Sequence, residues 1–429
     1  MDRTIVPPIE RVRDINLLPL DKSVLGNGVE LNVVNFPKDD VVRLDAVVDS
    51  GFWRQTVPGQ CNMTCNMLMQ GTRQHTSAEI SEKLDFYGAR MVAQSSNRYS
   101  IVSLLTLKKY VPQTFALMRE MLTEATFPES EFELLRNRNL NNYMMRITQT
   151  KERASRAFSL SLYGEDHPCG RFCTEETYRR ITADDLKAYY ARYYNPRNTS
   201  IFVSGNVDKE VEEEARRNFG AEWGGKEKAP AISPIPTETK KGYRHHEEMA
   251  DSQQTSLRMG GLTMSVGTED YYNFNVMLTL FGGYFGCRLF QNIREEKGYT
   301  YGISAYTIPN IYDSVLQVAC ETAPEYVEAV IKEVGNEAAR LKNEPVGKEE
   351  LDMLKNYMAA ELCRNYESAF STSVAYINMY CMGLKADHIG KTLNAINNIT
   401  PEEIMESARR HLNTDEWNTV VAGKKAKKP

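Results

Sequence analysis

No apolar run in this 429-residue chain is long enough to cross a membrane: stretches such as Ile101 to Leu107 and Val276 to Phe285 break at polar residues or glycine well before roughly 18 positions. Positive charge is not in excess either. Lysine and arginine number 52 against 57 acidic residues, and the net charge of -5 argues against nucleic acid as a partner. Cysteine is sparse. The eight, at positions 61, 65, 169, 173, 287, 320, 363 and 381, are scattered too widely for a disulfide framework and read as reduced thiols in a reducing compartment. The opening MDRTIVPPIE lacks a basic start followed by an apolar stretch, so no signal or transit peptide is predicted and the cytoplasm is the expected location.

What is present is an ordinary globular composition, 41% hydrophobic and 25% charged, over a length that predicts two or more domains. The chain repeats itself. Residues 181–205, ITADDLKAYYARYYNPRNTSIFVSG, align without a gap on 399–423, ITPEEIMESARRHLNTDEWNTVVAG. In both copies a threonine, Thr182 or Thr400, stands three residues before a carboxylate, Asp185 or Glu403, which is the pattern of a capped helix start. Pro401 adds a residue suited to the first helical position. Each helix then gives way at Asn195 or Asn413 to a short β-branched run that ends in glycine. Further upstream, Tyr110 to Met145 and Tyr326 to Cys363 share a second order: amphipathic helix, proline break at Pro128 or Pro345, acidic first turn, long helix.

The first half also opens with a hairpin signal, Asn27-Gly28, a tight turn before a strand from Val29 to Phe36, and a second strand follows at Val41 to Val48, the strands expected to be antiparallel and neighbouring. Residues 224–241, GGKEKAPAISPIPTETKK, have glycine, three prolines and no apolar period, and read as a linker. The expected architecture is therefore α+β: two tandem homologous domains, 1–223 and 242–429, each an antiparallel sheet covered by helices.

Two segments carry candidate chemistry. In Pro58 to Thr72, PGQCNMTCNMLMQGT, the side chains of Asn62, Cys65 and Asn66 stand at i, i+3 and i+4 and are expected on one helix face. Two histidines and a glutamate at that spacing would hold zinc and a general base. The actual residues are two amides and a thiol. In residues 281–306, FGGYFGCRLFQNIREEKGYTYGISAY, a glycine-rich loop leads into a helix from about Arg288 to Lys297, with Gly298 as its left-handed stop and a strand from Tyr299. Arg294 and Tyr301 meet across that corner, where a guanidinium and a phenol can donate to a carbonyl oxygen or to a developing oxyanion. The plain alternative is an Arg294 paired with Glu295, Glu296 or the helix-end carbonyls, beside a core strand.

Lesser patterns have simpler readings. Cys61 or Cys65 near a helix start, with His75 or His167 elsewhere, is a weak basis for a cysteine nucleophile. HPCGRFC, with His167, Cys169 and Cys173, reads as a turn rather than a metal site. His245-His246 point to opposite faces and cannot easily share an ion, and KKAKK at 424–428 reads as a solvated tail.

With these residues in view, the chain resembles the pitrilysin and insulinase superfamily of metallopeptidases, in its half-length branch that includes the mitochondrial processing peptidase subunits. The likeness rests on Asn27-Gly28-Val29, the Gly51 loop, the frame from Pro58-Gly59 to Gly71-Thr72, the strand around Ala93, the Phe127-Pro128 helix pair and, most specifically, REEKGYTYGISAY at 294–306. The resemblance implies two similar domains, a zinc site on the first, substrate contacts on the second, and two chains closing like a clamshell around unfolded peptide. It also implies His-x-x-Glu-His where this sequence has Asn62, Cys65 and Asn66, and a distal glutamate where it has Asn142. All four positions depart from the pattern. Arg294 and Tyr301, the pair the family uses on the scissile carbonyl, are retained.

Zinc lowers the pKa of bound water from about 15.7 to about 7, roughly 12 kcal/mol of nucleophile activation. Amide oxygens compete poorly for zinc, so no metal or other cofactor is expected on this chain. The resemblance thus implies a non-catalytic subunit that binds peptide and lends Arg294 and Tyr301 in trans to a zinc-bearing homologous chain in a heterodimer; a homodimer would be inert. The alternative is a structural or peptide-binding scaffold of the same fold with no role in proteolysis.

Overall fold

The computed structural model describes residues 11–237 and 239–426. The opening MDRTIVPPIE and the end of the KKAKK tail lie outside the described residues. The first half runs β1 (Asp21–Val24), β2 (Glu30–Asn35), β3 (Val41–Val48), α1 (Gln60–Met67), α2 (Ser77–Phe86), β4 (Arg90–Ser95), β5 (Ser100–Leu107), α3 (Val111–Thr123), α4 (Glu129–Arg146), α5 (Thr150–Tyr163), α6 (Glu175–Arg180), α7 (Ala183–Tyr193), β6 (Thr199–Gly205) and α8 (Lys209–Phe219). The second half runs β7 (Arg244–Glu248), β8 (Thr255–Thr263), α9 (Tyr271–Leu278), a wide π-helical turn at Phe290–Glu296, β9 (Thr300–Pro309), β10 (Ser314–Thr322), α10 (Val327–Asn343), α11 (Lys348–Arg364), α12 (Ala369–Met382), α13 (His388–Asn398), α14 (Pro401–His411) and β11 (Asn418–Gly423).

The caps read from sequence form as expected. Thr182 and Thr400 each accept from the backbone N–H three residues on, and the carboxylates of Asp185 and Glu403 return the bond. Internal duplication is written into the sheets. The first is ordered β1-β2-β6-β3-β5-β4 and the second β7-β11-β8-β10-β9, so the five shared strands follow one order, with β1 added at one edge. Each sheet is antiparallel apart from one parallel pair, β2 with β6 and β7 with β11. The last strand of each half thus wedges between the first two of its five shared strands, so β2 and β3, expected as antiparallel neighbours, are parted by β6, which comes from about 170 residues along the chain. Gly205 at the end of β6 has φ +106, and a Cβ there would meet the Val41 carbonyl at 2.4 Å.

The division in sequence is not a division in space. α5 belongs to the first half by position but packs on β8 and β11 of the second sheet, while α12 lies on β2 and β6 of the first. Phe158, Leu162 and Tyr163 of α5 bury against Val315 and Val420, and Ile377 of α12 buries against Val47, Tyr99 and Phe202. Polar contacts fix both seats. Arg258, almost wholly buried, donates to Ser155 of α5 at 3.3 Å and to Glu321 at 2.9 Å, and Ser256 donates to Thr150 at 3.0 Å. On the other seat the Tyr380 hydroxyl is 2.7 Å from that of Ser200. The two β-hairpin tips also touch, with Asn97 Nδ2 donating to the Pro309 carbonyl and to Asn310 Oδ1, each at 2.9 Å.

The 224–241 segment is extended and tied to the surface. Ala229 N–H donates to Asn198 at 2.7 Å, Arg54 donates to the Pro230 carbonyl at 2.9 Å, and Tyr312 of the second half donates to the Ile232 carbonyl. Helix exchange makes this covalent link redundant for holding the halves together. Cutting the chain at a protease site placed between Ala231 and Pro236 should leave two fragments that co-elute in gel filtration and part only in denaturant; separation under native conditions would refute the exchange.

Candidate functional site

Helix α1 is short and buried on nearly every side. Gln60, Cys61, Met63, Thr64, Cys65 and Met67 are all buried, so only a narrow stripe at Asn62 and Asn66 faces outward. The expected shared face of three therefore splits. Asn66 Nδ2 donates to the Asn62 carbonyl at 2.8 Å and to Asn62 Oδ1 at 3.3 Å, so the two amides satisfy each other. Cys65 turns into the core, where its thiol donates to the Gln94 carbonyl at 3.7 Å. The helix ends at Met67, before Gly71-Thr72: Gly71 has φ +148, and the Thr72 hydroxyl donates to the buried carboxylate of Glu120. That carboxylate also holds His75 Nδ1 at 2.9 Å. Nothing local in the sequence points to Glu120 as the anchor of this loop. Asn142 stands exposed on α4, which packs against α1.

These residues do not fit zinc. Two mutually bonded amides, a thiol aimed inward and an exposed amide make a poor donor set. Among the described residues no three histidine, cysteine, aspartate or glutamate side chains cluster to hold a metal ion. The cysteines also lack the character of nucleophiles. Burial is the main cause that pushes the Cys61 thiol up to about 12 and the Cys65 thiol to about 11, so both stay protonated. His75 is engaged by Glu120. His167 stacks on Tyr163 with ring centroids 4.6 Å apart, meets the edge of Trp53, and accepts the Cys169 N–H at Nδ1 over 3.1 Å. The His167-Cys169-Cys173 stretch is thus a packed turn. His246 bonds to the Gly423 carbonyl at 2.9 Å while His245 faces solvent, in line with opposite faces of β7.

Arg294 and Tyr301 come together as the sequence predicts, on one cavity of about 710 Å3 lined also by Gln253, Gln254, Glu321 and Tyr326. Gly298, at φ +65, ends the wide helical turn, and β9 starts two residues later. The Tyr301 side chain is 89% exposed at the sheet edge, so this strand residue is not core. Arg294 lies 3.7 Å from Glu295, a charge contact too long for a hydrogen bond, and its guanidinium stands over the Phe290 ring at 4.5 Å. Among the described residues neither the Arg294 guanidinium nor the Tyr301 hydroxyl makes a hydrogen bond, while the Arg294 carbonyl accepts from the Gly298 N–H at 3.1 Å. By contrast Arg54 is bidentate to Asp49 and Arg288 to Glu350. Carboxylate charge in the cavity is partly countered, since Glu321 pairs with the buried Arg258. What remains open is a guanidinium and a phenol, both able to donate.

Two measurements follow. Purified protein should carry no stoichiometric zinc by elemental analysis, and tightly held equimolar zinc would overturn the reading of α1. Burial holds the pKa of His167 below its ordinary value near 6.5. The unfolded chain then takes up the proton first, so this contribution to stability is full above about pH 6.5 and is lost as pH falls through the lower folded value. His167→Phe keeps the stack and removes the titration. The fall in Tm between pH 6.5 and 5 should be shallower in the variant, and equal slopes would refute the assignment.

Comparison with known proteins bears on the family and the fold. The model described as Insulinase (Peptidase family M16) matches residues 34–162, and that described as Peptidase M16 inactive domain matches residues 180–358. A Bacillus subtilis protein described as an uncharacterized zinc protease is 25% identical over 394 residues, covering 91% of this chain and 95% of its own. A Rickettsia bellii protein of the same description is 26% identical over 395 residues, 90% of each chain. A crystal structure titled peptidase M16 inactive domain from Pseudomonas fluorescens superposes with a TM-score of 0.87 at 24% identity, over 96% of this chain and 100% of that one. A protease from Helicobacter pylori superposes at 0.86 with 17% identity, over 95% and 100%. Matches that run through both halves, on a fold shared along nearly the whole length, show that the chain belongs to peptidase family M16, with two amides and a buried thiol in the helix frame from Pro58 to Thr72.

Proposed function

We propose that this chain is the zinc-less subunit of a two-chain peptidase. It binds unfolded peptide and supplies Arg294 and Tyr301 in trans to a homologous partner that carries an intact His-x-x-Glu-His site. One observation carries this reading: Arg294 and Tyr301 open on the same cavity with their donors unengaged, while the helix frame on the other half lacks any competent metal ligand. The Arg294 guanidinium faces that cavity with its donors free, whereas Arg54, Arg258 and Arg288 are bonded to carboxylates.

The chemistry left to this chain is to receive a peptide carbonyl and to donate to it as negative charge develops. Removal of one such donor typically costs 10²- to 10³-fold in kcat. Activation of water, at roughly 12 kcal/mol, has to come from the partner. A cytoplasmic, reducing setting belongs to the same reading, supported by eight cysteines that are all free.

The test is reconstitution with a zinc-bearing homologue. Mixing should give peptidase activity that neither chain shows alone, and Arg294→Ala should lower kcat about 100-fold or more. Activity indifferent to that substitution would sink the proposal. Peptide binding with no gain in the partner's turnover would instead favour the scaffold reading.

A further inference from the structure

A guanidinium without hydrogen bonds needs something else to hold it if it is to meet a carbonyl in one orientation. Arg294 has an aromatic shelf. Its guanidinium carbon stands 4.5 Å from the Phe290 ring centroid, and Phe290, itself 9% exposed, is met edge-on by Phe285 with centroids 4.9 Å apart at 68°. Phe285 is 76% exposed, and its ring edge rather than a core contact is what it gives to Phe290.

The loop that bears Phe285 is built to keep it there. Tyr284 takes the inward position and stacks on Tyr357 of α11 at 4.9 Å, so the next residue is turned outward. Gly282 lies so close to β9 that a Cβ would meet Ala305 at 2.5 Å, and the Phe285 carbonyl accepts from Gln291 Nε2 at 3.0 Å. Arg288 then clamps the start of the following helix to Glu350 through two bonds of 2.9 and 3.0 Å. Phe290 and Arg294 sit in the π-helical turn at Phe290–Glu296, a geometry that recurs at functional sites and here places the ring beneath the guanidinium.

We infer that Phe290 and Phe285 are positioning residues: Phe290 is the face on which the Arg294 guanidinium is oriented, and Phe285 buttresses that face from the glycine-rich loop. The inference rests on the proposed function for its consequence in catalysis, and on the free chain for its physical content. Glu295 cannot substitute, because its contact with Arg294 at 3.7 Å restrains charge but not the plane of the guanidinium.

The experiment has two arms. In the free chain with 15N-labelled arginine, the Arg294 Nε–H signal, assigned by its loss in Arg294→Lys, should carry a ring-current shift. Phe290→Leu should move that signal toward the position of a solvated arginine, Phe290→Tyr should leave it nearly in place, and Phe285→Ala should move it part of the way. An Arg294 signal unmoved by Phe290→Leu overturns the inference. With the zinc-bearing partner present, Phe290→Leu should lower kcat about three- to tenfold with little change in KM, and Phe290→Tyr should restore it. Equal losses in the Leu and Tyr variants would also overturn it, since those report packing alone. A complete absence of partner-dependent turnover, with the expected spectral shifts, would strike the proposed function and leave the shelf standing.

Discussion

Everything in this molecule depends on the exchange of one helix between two similar halves. A sheet needs both faces dealt with, and here the second face of each is closed by a helix that belongs, by chain order, to the other half. The seat of α5 is the more polar, with Arg258 buried at its centre and bonded to both Ser155 and Glu321. A charge so deeply placed is tolerable only where its donors are met, and a shift of α5 would leave the Arg258 Nε–H without its Ser155 acceptor. The halves therefore stay in register, and the cavity at Arg294 keeps a fixed relation to the helix frame at Asn62.

Within that rigid frame the two candidate regions differ in kind. α1 is held on nearly every side by core contacts, and the segment after it by Glu120, so the scaffold survives without ligands to justify it. Amides at Asn62 and Asn66 close on each other and make the surface self-sufficient. The Arg294 region is the reverse. Its surroundings are tied by the Arg288–Glu350 pair and the Gln291 bond to the Phe285 carbonyl, although the Tyr284 hydroxyl and Arg288 Nη1 lack partners, and the Arg294 guanidinium and Tyr301 hydroxyl are unbonded among the described residues. Under the proposed function, a held surround with free donors is what a ligand site requires.

Local chemistry made much of this legible in the sequence. Hydroxyl caps at Thr182 and Thr400, the proline breaks at Pro128 and Pro345, the Asn27-Gly28 turn and the Gly298 stop each act within a few residues, and each forms as read. The cavity shared by Arg294 and Tyr301 followed from the same short-range logic. What could not be read depends on distant pairings. The parallel contact of β2 with β6 joins segments about 170 residues apart, and an amphipathic pattern in α5 says that one face is buried without saying by which sheet. The inward turn of Cys65 has the same cause, since spacing gives the angle between side chains but not the number of sides on which a helix is covered. Phe290 stands four residues before Arg294, a spacing visible in the sequence, yet its role needed the wide helical turn to be seen.

The touching hairpins, Asn97 against Asn310, are the corresponding β4–β5 and β9–β10 turns of the two halves. Consider a chain carrying only one of them. It would have a sheet with one bare face and, protruding from it, a helix with no sheet to lie on. Two such chains would cure both faults at once by trading helices across a twofold axis, which is the geometry of a domain-swapped dimer. The single chain described here has the arrangement of such a dimer, with the proline-bearing segment at 224–241 joining its two halves. Joining frees the two copies from having to be identical, and that freedom is what allows one half to carry the Arg294 cavity while the other carries the amide-bearing helix.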